Sequence, residues 1–200
     1  MEQTPRANRI HIGIYGRCNS GKSSLINAIT GQQTAVVSEV AGTTTDTVNK
    51  SMELPGVGAV TFIDTAGFDD TGELGTKRLE QTRKAADRTD VAVIVHAGGE
   101  PSAEREWIGL FGERNIPVVL VLNKADLLND EAAAVSALRA ETGINPIAVS
   151  ALTGKGIGEL IAAIAEAGRG ATDEVSITGN LAGPGDVVML VMPQYAQAPK

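Results

Sequence analysis

The chain has 200 residues, room for one full domain and part of another; 42% are hydrophobic and 20% charged, as in ordinary globular proteins, and aromatics at 3% leave Val, Ile, Leu and Ala to build the core. A net charge of −7 argues against nucleic acid as a direct, obligatory partner, because phosphate contacts need a surplus of Lys and Arg. The single cysteine, Cys18, excludes an internal disulfide and any cluster held by cysteines alone.

In chain order, MEQTPRANR is polar and lacks the apolar stretch of a signal peptide, and no later run is long enough to span a bilayer. The expected location is cytoplasmic, with no membrane partner. Residues 9–15 alternate as a strand, and 22–30 have helical spacing up to Gly31 as the stop. Residues 47–54 and 58–64 form a hairpin around PGVG. Helical spacing returns over 72–89, 102–114, 130–142 and 156–167. Between these lie the apolar runs 91–97 and 116–124, typical of strands covered on both faces, and a last strand over 144–150. Strands alternating with helices predict an α/β fold with a mainly parallel six-stranded sheet, one antiparallel edge strand and helices on both faces. The domain is expected to close near Gly168, with a linker over 169–180. Residues 181–200 then open a following domain, or supply one strand that docks on the main sheet.

GRCNSGKS, Gly16–Ser23, matches G-x-x-x-x-G-K-[ST] between a strand and a helix, the context the phosphate loop requires. Its backbone N–H groups, with Ser20 and Ser24, are expected to cradle phosphates at the helix N-terminus. Gly21 permits close approach, Lys22 reaches the β- and γ-phosphates, and Ser23 ligates Mg²⁺. DTAG follows the apolar VTFI; Asp64 there suits a water-mediated Mg²⁺ contact, and Gly67 presents its N–H to a γ-phosphate. NKAD follows VVLVL. The Asp126 carboxylate can accept from the N1–H and 2-amino group of guanine, which adenine lacks, so GTP is expected and an ATPase disfavoured. Lys124 packs over the base, Asn123 ties this loop to the phosphate loop, and SAL at Ser150 and Ala151 offers an N–H to the base. SEVAGTTTD, residues 38–46, reads alone as a solvated Ser/Thr loop; behind a phosphate loop, Thr44 is the candidate Mg²⁺ ligand.

Together GRCNSGKS, GTTTD, DTAG, NKAD and SAL, over residues 9–168, resemble the translation-factor-related GTPase class, in the branch holding the tRNA-modifying and ribosome-assembly GTPases. GTTTD, GFDDTGELGTKRLEQT and LAGPGDVVMLVMP resemble the FeFe-hydrogenase maturation GTPase family (HydF). That resemblance implies slow hydrolysis of GTP to GDP, since Phe68 stands where a catalytic glutamine is found in Ras-like proteins and a phenyl ring cannot orient water. In potassium-activated relatives a K⁺ ion takes the place of an arginine finger. The resemblance puts its ligands at Asn19, Ser38, the Val40 carbonyl and Thr43; the alternative reading of Asn19 is a residue that caps or stiffens its loop. It also implies that Glu73, with Asp69 and Asp70 as competitors, positions water. The implied catalytic set is Asn19, Lys22, Thr44, Gly67 and Glu73. The implied partners are hydrogenase-maturation proteins and a second copy, through the switch loops or the following domain. With one cysteine, no iron–sulfur cluster is expected in residues 1–200. The competing expectation is the G domain of a tRNA-modification or ribosome-assembly GTPase.

Overall fold

The computed structural model describes residues 9–32, 38–39, 49–55, 57–65, 67 and 82–172. Strands β1 (Ile10–Gly16), β2 (Ser38–Glu39), β3 (Asn49–Leu54), β4 (Gly58–Asp64), β5 (Val91–His96), β6 (Val118–Leu122) and β7 (Ile147–Ala148) form one sheet in the order β2-β3-β4-β1-β5-β6-β7. Strands β4, β1, β5, β6 and β7 run parallel, and β3 is antiparallel to β4. The expected six-stranded sheet is therefore present, with the two-residue β2 added antiparallel outside β3.

The helices are α1 (Lys22–Gln32), α2 (82–86), α3 (Ser102–Glu113), α4 (Glu131–Thr142) and α5 (Ile157–Thr172). Strand parity sends side chains to two cores. On one face Ile12 and Ile14 of β1 and Val91, Val93 and Val95 of β5 meet Leu25 and Ile29 of α1 and Leu160 and Ile164 of α5. On the other, Tyr15, Ala92, Ile94, Leu120 and Leu122 meet Trp107 and Phe111 of α3 and Leu138 of α4. All six residues of β5 are buried, as its unbroken apolar run demands.

The second core departs from the aliphatic expectation. Three of the chain's few aromatics gather there: Tyr15 lies 5.3 Å from Trp107 and 4.9 Å from Phe111, centroid to centroid. A Cβ on Gly13 would fall within 2.6 Å of Thr89 Oγ1 and still closer to the Tyr15 ring, so glycine two residues earlier on the same face makes room for that ring. Helix α1 passes through Gly31 to Gln32; an exposed glycine in a last turn costs little and does not end the helix. The final strand contracts to two residues, because Pro146 brings no N–H to a ladder. Among the described residues no helix is long and apolar enough to cross a membrane.

Candidate functional site

Because β1, β4, β5, β6 and β7 are parallel, the segments leaving their C-terminal ends share one edge of the sheet, where such folds place ligands. Four sequence motifs meet there. The loop after β1 runs from Arg17 to Gly21 into α1. Lys22 is buried, and its ammonium donates to the carbonyls of Gly16 (3.0 Å) and Arg17 (2.8 Å), which curls the side chain back over its own loop. Asp64, the last residue of β4, accepts from Ser23 Oγ at 2.6 Å. These two hard oxygens, on elements 41 residues apart in sequence, have the donor chemistry that suits Mg²⁺. Ser24 is exposed on the first turn of α1, and Gly67 is buried beyond the end of β4.

The loop after β6 is fastened to the loop after β1 by Asn123, which is 3% exposed. Its Nδ2 donates to the Ser20 carbonyl (2.8 Å) and its Oδ1 accepts from the Ala151 N–H (3.3 Å). Those partners fix the amide orientation, since a carbonyl needs a donor and an N–H an acceptor. Gly21, at φ 91°, lies against Asn123 Nδ2 so closely that a Cβ would strike it. Lys124 holds a left-handed φ of 62°, and Ala125 N–H donates to Val149 O at 2.9 Å. Asp126 is exposed in the short helical turn that follows. Ser150 is wholly buried; its Oγ accepts from Thr153 N–H. A base that used the Ala151 N–H would compete with Asn123 Oδ1 for it.

Asn19 is exposed at φ 60°. Asparagine is enriched in that left-handed region, so the backbone accounts for the residue type without any cation. Cys18 is exposed. Ser38 is placed by its backbone in β2, and nothing is described of its side chain. Val40, Thr43, Thr44, Phe68, Asp69, Asp70 and Glu73 lie outside the described residues, as does 173–200. Among the described residues no group of three or more His, Cys, Asp or Glu is arranged to hold a metal ion.

Behind the loop after β1 lies a feature the sequence reading missed. The Glu104 carboxylate, 1% exposed, stands between His96 Nδ1 (3.0 Å) and Arg17 Nε (3.5 Å). No periodicity marks it, because Glu104 follows the polar entry into α3 and looks like a solvated first-turn carboxylate.

A strand–loop–helix phosphate-loop motif, a carboxylate at the end of β4 and an Asn–Lys–x–Asp turn at the end of β6 define a P-loop GTPase domain. The chain belongs to the 50S ribosome-binding GTPase family, which matches residues 11–124. It is 37% identical over 152 residues, 76% of its length, to the tRNA modification GTPase MnmE of Xanthomonas oryzae pv. oryzae. It is 40% identical over 136 residues, 66% of its length, to GTPase Der of Wolinella succinogenes. It spans 32% and 28% of those two proteins. Among solved structures, Aquifex aeolicus Era bound to GDP and aluminium fluoride superposes with a TM-score of 0.64 at 25% identity, covering 78% of this chain and 56% of Era.

Proposed function

We propose that this domain binds GTP with Mg²⁺ and hydrolyses it slowly to GDP, with K⁺ as activator, so that nucleotide state controls docking of a partner. The observation that carries the reading is the tie through Asn123, which joins the phosphate-loop motif to the Asn–Lys–x–Asp turn at 2.8 Å, so that one ligand can span both. In this reading the N–H groups of residues 19–24 face phosphate oxygens at the N-terminus of α1. Lys22 keeps its bonds to the two loop carbonyls, which aim the rest of its ammonium at the β- and γ-phosphates. Ser23 and Asp64, with Thr44, hold Mg²⁺, which neutralises phosphate charge. Gly67 offers an N–H to the γ-phosphate. Asp126 selects guanine, Lys124 covers the base, and Ser150 and Ala151 shape its far edge.

Asn19, Ser38, Val40 and Thr43 are the proposed K⁺ ligands, and Glu73 the proposed water-positioning residue. Support for a cation comes from Phe68, which leaves no catalytic glutamine, and from the exposed amide of Asn19 on the phosphate loop. Single-turnover GTP hydrolysis in KCl and in NaCl tests this: faster turnover in KCl that Asn19→Ala abolishes is expected, and equal rates in both salts refute it.

For the biological role, the GTTTD motif and the segment after DTAG favour a nucleotide switch in a hydrogenase-maturation scaffold, working in a cytoplasmic setting with maturation proteins or a second copy as partner. Residues 169–180 then serve as a linker and 181–200 as the entry to a dimerisation domain. A second reading has its own support: the relatives named above include a tRNA modification GTPase, and on that reading the domain acts in an RNA-directed enzyme whose other domains hold the RNA. The coding sequence beyond Lys200 separates them. A Cys/His-rich domain supports the first and an RNA-binding module the second.

A further inference from the structure

We infer that Glu104, braced by His96, is a positioning residue for the phosphate loop: it fixes Arg17, whose main-chain carbonyl in turn holds the Lys22 ammonium. The inference rests on the proposed reading of residues 16–23 as the phosphate site.

Glu104 sits in the first turn of α3 and is 1% exposed, and His96, the last residue of β5, is 5% exposed. Burying a carboxylate is costly unless its oxygens are met. Oε1 is met by His96 Nδ1 at 3.0 Å. Oε2 faces Arg17 Nε at 3.5 Å, within ion-pair reach but beyond a good hydrogen bond, and each of these two atoms is buried without a hydrogen bond. The guanidinium is gripped further: Arg17 Nη2 donates to the Glu100 carbonyl and, at 3.4 Å, to Ser102 Oγ. The Arg17 side chain thus crosses from the loop after β1 to the N-terminal turn of α3.

The other end of the same residue faces the loop. The Arg17 carbonyl accepts from Lys22 Nζ at 2.8 Å and from the Ser20 N–H at 3.3 Å. Fixing the side chain therefore fixes the oxygen that holds the ammonium. His96 joins a second loop to the same point, since its carbonyl accepts from the Asn123 N–H at 2.8 Å. Attachment of α3 does not require this arrangement: Trp107 and Phe111 already seat that helix on the sheet through apolar contact. An apolar residue at position 104 would serve docking as well, and often better. What only a buried carboxylate provides is an anchor for a guanidinium.

The experiment compares release of a fluorescent GDP analogue, single-turnover GTP hydrolysis and melting temperature in the full chain. The variants are Glu104→Gln, Arg17→Ala, Arg17→Lys and, as a packing control, Phe111→Leu. Glu104→Gln and Arg17→Ala are expected to speed release about tenfold and to slow hydrolysis, with the double variant no worse than the more affected single one. Arg17→Lys keeps a cation opposite Glu104 without the planar fork and recovers part of the loss. Phe111→Leu is expected to melt earlier with release within about twofold of wild type. Release and hydrolysis that stay at wild-type values in both Glu104→Gln and Arg17→Ala would overturn the inference. If Glu104→Gln fails to fold, Arg17→Ala decides alone, because Arg17 is partly exposed. A wild-type chain that binds no GDP analogue overturns the nucleotide-site reading itself, and this inference with it; a chain that binds while the variants behave as wild type overturns only the inference.

Discussion

Replacing Asn123 by alanine removes the tie between the two loops, and its cost can be worked from the partners left behind. The Nδ2 bond to Ser20 O is short, at 2.8 Å, and buried, whereas the Oδ1 bond from Ala151 N–H is longer, at 3.3 Å, and partly buried. Losing the longer, partly buried bond costs about 1 kcal/mol net, and losing the buried one leaves the Ser20 carbonyl without a donor, which costs about 1–3 kcal/mol. A destabilisation of about 2–4 kcal/mol is therefore expected. At about 2–4 °C per kcal/mol for a chain of this size, the melting temperature should fall by roughly 4–16 °C. Asn123→Asp is the sharper test. It keeps an acceptor for Ala151 N–H but turns a second oxygen toward the Ser20 carbonyl, so it should be at least as destabilising as alanine. Urea unfolding followed by circular dichroism measures both. An alanine variant within about 0.5 kcal/mol of wild type, or an aspartate variant as stable as wild type, would refute the assigned roles of the two amide atoms.

Three further outcomes are expected. Asp126→Asn should lower GDP affinity at least about a hundredfold and admit a xanthosine nucleotide, read by competition binding; unchanged GDP affinity would remove Asp126 from base selection. Tyr15→Phe should cost only about 1 kcal/mol. Thr89 Oγ1 already donates to Ala85 O, so the tyrosine hydroxyl is the donor in its 2.6 Å bond to Thr89, and losing it leaves no buried donor unpaired. Burial pushes the Tyr15 phenol up from 10.0 to about 12, despite the Thr89 bond that draws it down. The unfolded chain therefore loses that proton first, and stability should decline as pH rises from 10.0 through about 12 in wild type but not in Tyr15→Phe; matching alkaline urea midpoints would contradict this. For Asp90, burial is the largest single influence and raises the carboxyl; the bonds from the His11 side chain and N–H and the His11 charge together outweigh it, leaving the group below its ordinary 3.8. Its stabilisation is present above that ordinary value and is lost as pH falls through the lowered one, so Asp90→Asn should be less stable at neutral pH and show a flatter acid limb in urea midpoints.

The parts of the fold that were legible are those where a single local pattern decides the structure. The unbroken apolar runs of β5 and β6 place both strands between layers, because a strand covered on both faces has no polar parity to show. The hairpin of β3 and β4 follows from its glycine–proline turn. The second core was not legible. Gly13 looks like a weak point in β1, and only the fold reveals that its missing Cβ admits the ring of Tyr15, which then gathers Trp107 and Phe111 from a helix almost a hundred residues on. The contraction of β7 was legible in principle from Pro146, and an apolar run outweighed it.

The site shows the same division in a more consequential form. Lys22, Ser23, Asp64, Asn123 and Asp126 were legible as candidates because each occupies a fixed place in a motif, and the parallel sheet brings those motifs to one edge. Glu104 belongs to no motif. Its burial depends on two partners, eight and eighty-seven positions away in the chain, and neither spacing repeats. Asn19 is the reverse case: its motif position invites a cation-binding role, while its φ of 60° supplies a sufficient backbone reason for the same residue. A side chain whose identity is explained by its main chain carries less information about chemistry than one that is not. By that standard the buried Glu104, which neither backbone conformation nor packing requires, is the stronger pointer to function within this loop's surroundings, and Asn19 must be decided by the salt dependence of turnover rather than by its place in the motif.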